Sequence, residues 1–117
     1  MHGAIQMNED AFIYYNNQLK KTVKVMAELK ITEFLPTWKQ NNFESRRNDL
    51  RWESVSRELS NDEQQELVYI NQAYVKRDAI RAASDMHESA LLALTTLEEV
   101  HEYEEKQLSA NWPSLGE

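Results

Sequence analysis

SNDEQQELVYINQAYVKRDAIRAASDMHESALLALTTLEEVHEYEEKQL, residues 60–108, contains neither glycine nor proline, and its reading decides the fold. It opens on Ser60-Asn61-Asp62-Glu63, a capping box. The Ser60 hydroxyl accepts from the Glu63 backbone N–H, while the Glu63 carboxylate reaches back to the Ser60 N–H. A helix therefore begins at Asn61. Its apolar positions run Leu67, Ile70, Tyr74, then drift through Val75, Ala79, Ala82 and Met86 to Ala90, Leu94, Leu97 and His101. Unbroken over 61–108, this helix would be about 70 Å long at 1.5 Å per residue. The alternative is a break at Ser84-Asp85, where Asp85 stands three residues before Glu88 and a new cap would give four helices. The helix-favouring Arg81-Ala82-Ala83 run and the lack of loop residues favour continuity.

Working back along the chain, Pro36 separates two further helices, because proline disfavours helix at Leu35 and has no N–H to donate. Helix 1 is expected over 8–35. Asn8 serves as its cap, and Glu9 and Asp10 sit in the first turn, where the helix dipole favours negative charge. Its seam is Phe12, Tyr15, Leu19, Thr22, Met26 and Leu29, widened by Val23, with spacings of three and four. Helix 2 is expected over 37–59, beginning at Thr37 or Trp38. Its large apolar residues, Phe43, Leu50, Trp52 and Val55, make no single seam, so it is half-exposed or completed by a partner. Arginines 46, 47, 51 and 57 interleave with Glu44, Asp49, Glu53 and Glu58, and Glu53 and Arg57 stand in the favourable i, i+4 order. After Ser109 the tail 109–117 holds Pro113 and Gly116, so an irregular cap is expected, with Trp112 and Leu115 docking on the bundle.

The whole chain, 1–117, thus reads as one all-α domain, an elongated antiparallel bundle of three long helices, or four if the third breaks near Ser84. Two glycines and two prolines in 117 residues fit few, long elements. Helices 1 and 2 end to end match helix 3, and one thin layer of helices leaves a face open. Such chains close by self-association, which buries the leftover apolar surface. The candidates for that surface are Trp52, Val55 and Leu59, together with Leu91, Leu92 and Val100.

Composition narrows function. The absence of cysteine excludes disulfides, thiolate metal sites and a thiol nucleophile, and fits a reducing compartment. No apolar run is long enough to span a bilayer and no secretion signal opens the chain, so a cytoplasmic protein with no membrane partner is expected. The net charge of −7 sits in the second half. Residues 1–60 are nearly balanced, and beyond Ala82 the one cation is Lys106. Such an acidic half repels phosphate backbones, so no direct nucleic-acid binding is expected.

Chemistry-bearing motifs are few. Glu98-Glu99-Val100-His101 contains Glu-x-x-His, and Glu98, His101, Glu102 and Glu105 share one helix face. This is half of a carboxylate-bundle metal site, and a second copy plus Glu28 or Glu33 would be needed to complete it. Otherwise it is a solvated acidic face. Ser84 and His87 are close enough to touch, but no glycine-rich turn exists to build an oxyanion hole, so His87 reads as a surface histidine. Phosphotransfer at His87 or His101 has no further support. The only glycines, Gly3 and Gly116, build no phosphate loop. No enzyme and no cofactor are expected. The reading is a protein–protein interaction module, an adaptor, inhibitor or assembly component acting as a homo-oligomer. Its alternatives are an acidic decoy for a nucleic-acid-binding protein and a carboxylate/His metal bundle.

Overall fold

The computed structural model describes residues 2–113, with side chains from residue 9 onward. Four helices follow in order: α1 (His2–Phe34), α2 (Thr37–Ser56), α3 (Asn61–Leu92) and α4 (Leu97–Lys106). No strand occurs among the described residues, and the all-α chain is elongated, 75 × 22 × 21 Å.

α1 and α2 lie end to end, both antiparallel to α3. Asn16 and Lys24 of α1 reach Leu91 and Glu88 of α3, while Glu44 and Arg46 of α2 reach Tyr74 and Glu66. Pro36 makes the joint. Its carbonyl accepts from the backbone N–H of Lys39 and Gln40, both at 2.9 Å, and starts α2 without a side-chain cap. The Gln40 amide closes the joint by donating to the Leu35 carbonyl at 2.9 Å. α1 begins at His2, six residues before the expected Asn8, because nothing in that stretch stops a helix. α2 ends at Ser56 rather than residue 59, where Arg57 turns extended and its guanidinium bridges Glu53 and Glu63.

The expected third helix ends at Leu92, not Leu108, and its break falls at residues 93–96 rather than at Ser84. Ser84 is buried in mid-helix. The stop comes from a second capping box, Thr96-Leu97-Glu98-Glu99. Thr96 Oγ1 accepts from the Glu99 N–H at 3.2 Å, and Glu99 Oε1 accepts from the backbone N–H of Thr95 and Thr96, each at 3.1 Å. The Thr95 hydroxyl, which donates to Glu99 Oε1 at 2.9 Å, then the Thr95 N–H and the Thr96 hydroxyl, hold the Glu99 carboxyl below its ordinary pKa. The reversal sends α4 back along α1, and Tyr103 of α4 reaches His87 of α3.

The core has two parts. Leu19, Val23, Leu91 and Val100 join α1, α3 and α4, flanked by Phe12, Leu94, Tyr103 and Leu108. Ala27, Ile31, Leu35 and Ile80 continue it toward the Pro36 joint, and Trp112 packs against both parts. Each fully buried aliphatic side chain contributes about 1.5–3 kcal/mol. The buried row of α1 runs Leu19, Val23, Ala27, Ile31 and is continued by Leu35 just past the helix end. It follows steps of four that incline across the helix, not the expected alternation of three and four. Tyr15, Thr22 and Leu29 are consequently exposed.

The α2–α3 hairpin has a thinner interior: Leu50, Ile70 and Tyr74. Polar contacts supplement it. Arg46 forms a two-pronged bond to Glu66 at 2.7 and 3.0 Å, and the Arg47 and Arg77 guanidiniums lie 4.2 and 4.5 Å from the Tyr74 ring centroid. Burial, then the neighbouring Glu44 carboxylate, pushes the Tyr74 hydroxyl above its ordinary pKa. Of the interleaved charges of α2, Arg46, Arg47, Glu44 and Glu53 are thus used within the chain.

Candidate interaction face

Two of the residues expected at the interaction surface, Leu91 and Val100, are core residues with no free surface to offer. The break at 93–96 resets the helical phase, so that Val100 turns inward onto α1 and α3, and Leu91 sits beneath it. Trp52 and Val55 stand out from α2, 80% and 81% exposed, and Leu92 stands out from the end of α3. Leu59 is half-buried.

The acidic cluster does not converge. Glu98, His101, Glu102 and Glu105 are all exposed along α4, and the His101 ring rests 5.3 Å from Tyr15. Among the described residues no three His, Asp or Glu side chains gather as a metal ion needs. Glu28 and Glu33 are exposed on α1. Lys106 pairs with Glu102 at 3.2 Å.

His87 is the opposite of a surface residue, at 3% exposure. One imidazole nitrogen, Nε2, donates to the Ala110 carbonyl at 2.8 Å, which leaves Nδ1 to accept from the Tyr103 hydroxyl. Its ring stacks on Trp112, whose indole N–H donates to the Leu108 carbonyl at 2.9 Å. Lys30 of α1 lies 5.4 Å above that indole. Burial pushes the Tyr103 hydroxyl above its ordinary pKa. Every polar atom of the imidazole is engaged, so the cluster is a clamp that fastens α4 and the segment after it to α3. It leaves no nitrogen for phosphotransfer or base catalysis. Trp112 docks as expected, whereas Leu115 lies outside the described residues. Between α1 and α3 an open cleft of about 420 Å³ is lined by side chains of both signs, including Lys24, Glu28, Arg81 and Asp85.

What the surface does present is a set of uncharged rows on the helix sides facing away from the core. On α3 the row is Val68, Gln72, Val75, Ala79, Ala82 and Met86, every one exposed, at spacings that alternate four and three. α1 carries a second row of Tyr14, Gln18, Thr22, Val25, Leu29 and Thr32, also all exposed. Thr22 and Thr32 turn their hydroxyls back to the carbonyls of Gln18 and Glu28, which reduces the polarity that row offers to solvent. The α1 row is hidden in the sequence because the spacing of Thr22 and Leu29 fits the expected core seam. On α3, Val75, Ala79, Ala82 and Met86 read from the sequence as part of a drifting core seam but are exposed, and only the position of the true core, through Ile70, Tyr74, Ile80 and Leu91, separates the two faces.

No protein-family model, curated protein or solved structure matches the chain. None of the described helices is long and apolar enough to cross a membrane.

Proposed function

We propose that this chain is a non-enzymatic protein–protein interaction module that docks through the outward faces of its helices and self-associates. The observation that supports this reading is the pair of uncharged rows on α1 and α3, lying opposite the core on a chain in which 28% of residues are charged. Exposed apolar side chains are ordinary when scattered singly; aligned along a helix without a charge between them, they mark a surface meant to be covered. The engagement of His87 and the dispersal of the α4 carboxylates favour binding over catalysis. Adaptor, inhibitor and assembly roles all use such a face.

The test is a concentration series of amide NMR spectra. The reading expects resonances of the outward rows to shift and broaden with concentration, while those of the His87–Tyr103–Trp112 clamp stay fixed. Spectra of a single chain at every concentration, unchanged throughout, would contradict self-association.

A further inference from the structure

The joint between α1 and α2 meets α3 at a cleft of about 270 Å³. Phe34, Phe43 and Ala73 line it, one from each helix, and all three rest on the core around Ile31, Leu35 and Ile80. Tyr69 adds a second aromatic wall, its ring edge-on to that of Phe43 with centroids 5.8 Å apart. Pro36 parts the helices that carry the two phenylalanines, and the short Ala73 side chain opposite them does not fill the gap.

Two ammonium groups stand at this cleft, Lys39 of α2 and Lys76 of α3. Both lysines are half-buried, and neither forms an ion pair among the described residues. The Lys39 ammonium lies 5.4 Å from the Phe43 ring centroid and 6.0 Å from that of Tyr69, which holds it over the aromatic wall. Glu33, which is exposed, is the one carboxylate among the lining residues. On a chain of net charge −7, positive charge is therefore in local excess here, beside apolar surface. A single lysine laid along apolar surface with its head in water is ordinary. Two that flank one concave aromatic site supply what a small-ligand site needs, an apolar lining with a few convergent polar groups.

We propose that this cleft binds a small organic acid with a compact aromatic body, an arylalkyl carboxylate, its ring against Phe34 and Ala73 and its carboxylate between Lys39 and Lys76. Charge selects the anion, since a cation would meet two like charges. The rings select the flat apolar body, through edge and face contacts that an aliphatic chain does not make. Size selects a free small molecule over a segment of a partner protein. The volume lies at the lower end of ligand pockets and holds one ring with a short acid chain. Packed helices form the walls and Lys39 is already in place, so binding orders little that is loose. The site stands apart from the outward rows, and its failure would leave the interaction reading as it is.

Titration of the full chain with 3-phenylpropionate, followed by amide NMR, tests the site. Shifts are expected at Phe34, Phe43, Ala73 and Lys76 and not along α4. The uncharged counterpart, 3-phenylpropanamide, is expected to bind about fivefold more weakly, because it loses both ammonium partners. Propionate, with the charge but no ring, is expected to bind weaker than the aromatic acid by about tenfold or more. Lys39→Gln and Lys76→Gln should each weaken the acid by about two- to threefold and leave the amide unchanged. Lys21→Gln, an exposed cation of α1 away from the cleft, should alter neither. Equal binding of acid and amide, an acid affinity unmoved by both cleft variants, or shifts centred elsewhere would overturn the proposal. So would spectra that the acid leaves unchanged at every concentration.

Discussion

The imidazole of His87 stacks on the indole of Trp112, ring centroids 4.9 Å apart and planes inclined by 23°. Together with the His87–Ala110 hydrogen bond this stack ties the segment after α4 to α3, and Trp112 also packs against both parts of the core. Removing the indole should therefore loosen α4 and expose Val100 together. Trp112→Ala is expected to lower unfolding free energy by about 3 kcal/mol, in line with other large aromatic truncations. Urea titration followed by far-UV circular dichroism measures it, and a loss under about 1 kcal/mol would show that the clamp is ornamental.

His87 itself makes two hydrogen bonds and lies buried. His87→Ala would leave the Ala110 carbonyl and the Tyr103 hydroxyl without their partner, each loss costing about 1–3 kcal/mol. His87→Gln, which retains one donor and one acceptor, should recover part of that loss. Equal destabilisation by the two substitutions would contradict a hydrogen-bonding role.

The turn between α3 and α4 depends on Thr96 and Glu99. Thr96→Ala is expected to cost about 1 kcal/mol through loss of the cap, and Thr96→Ser to cost little. Chemical denaturation of both variants checks this. If the turn were set by packing alone, Thr96→Ala would be neutral.

Acid should weaken the start of α3. The Arg57 guanidinium, followed by the Ser60 backbone N–H, holds the Glu63 carboxyl down at about 2, against 4.5 for an unperturbed glutamate. A depressed folded-state pKa means that ionisation favours the folded chain. That contribution is complete above about 4.5 and is lost as pH falls toward about 2. The melting temperature should decline across this window, and Glu63→Gln should make the decline shallower. Glu66, lowered by Arg46, and Glu99, lowered by Thr95 and Thr96, add to the same trend.

Trp52 and Val55 project from α2 with four-fifths of their surface in solvent. Trp52→Ser should therefore shift the stability of the single chain by no more than about 0.5 kcal/mol. A larger loss at low protein concentration would mean that the indole packs on its own chain.

The residues show why part of this was legible in the sequence and part was not. Pro36 and the Ser60–Glu63 box act locally, through a missing N–H and a three-residue reach, and both appear where the sequence places them. The Glu53–Arg57 pair is equally local. Thr96-x-x-Glu99 carries the same signature as Ser60-x-x-Glu63, but the apolar run through Leu91, Leu92 and Leu94 just before it masks it. That turn carries Val100 onto Leu91 and buries both, because a reversal changes which helix side faces inward. His87 was lost for a different reason. Its partners, Tyr103, Ala110 and Trp112, come from beyond the reversal, 16 to 25 positions along the chain, and no helix periodicity connects them. The outward rows became visible only once the core had been located, since apolar spacing alone does not say which side is covered.

Sedimentation equilibrium of the unmodified chain over a wide concentration series tests the central claim most directly. Association through the helix faces predicts an average mass that rises with concentration from one chain toward two and levels there. A mass of one chain at every concentration would contradict it.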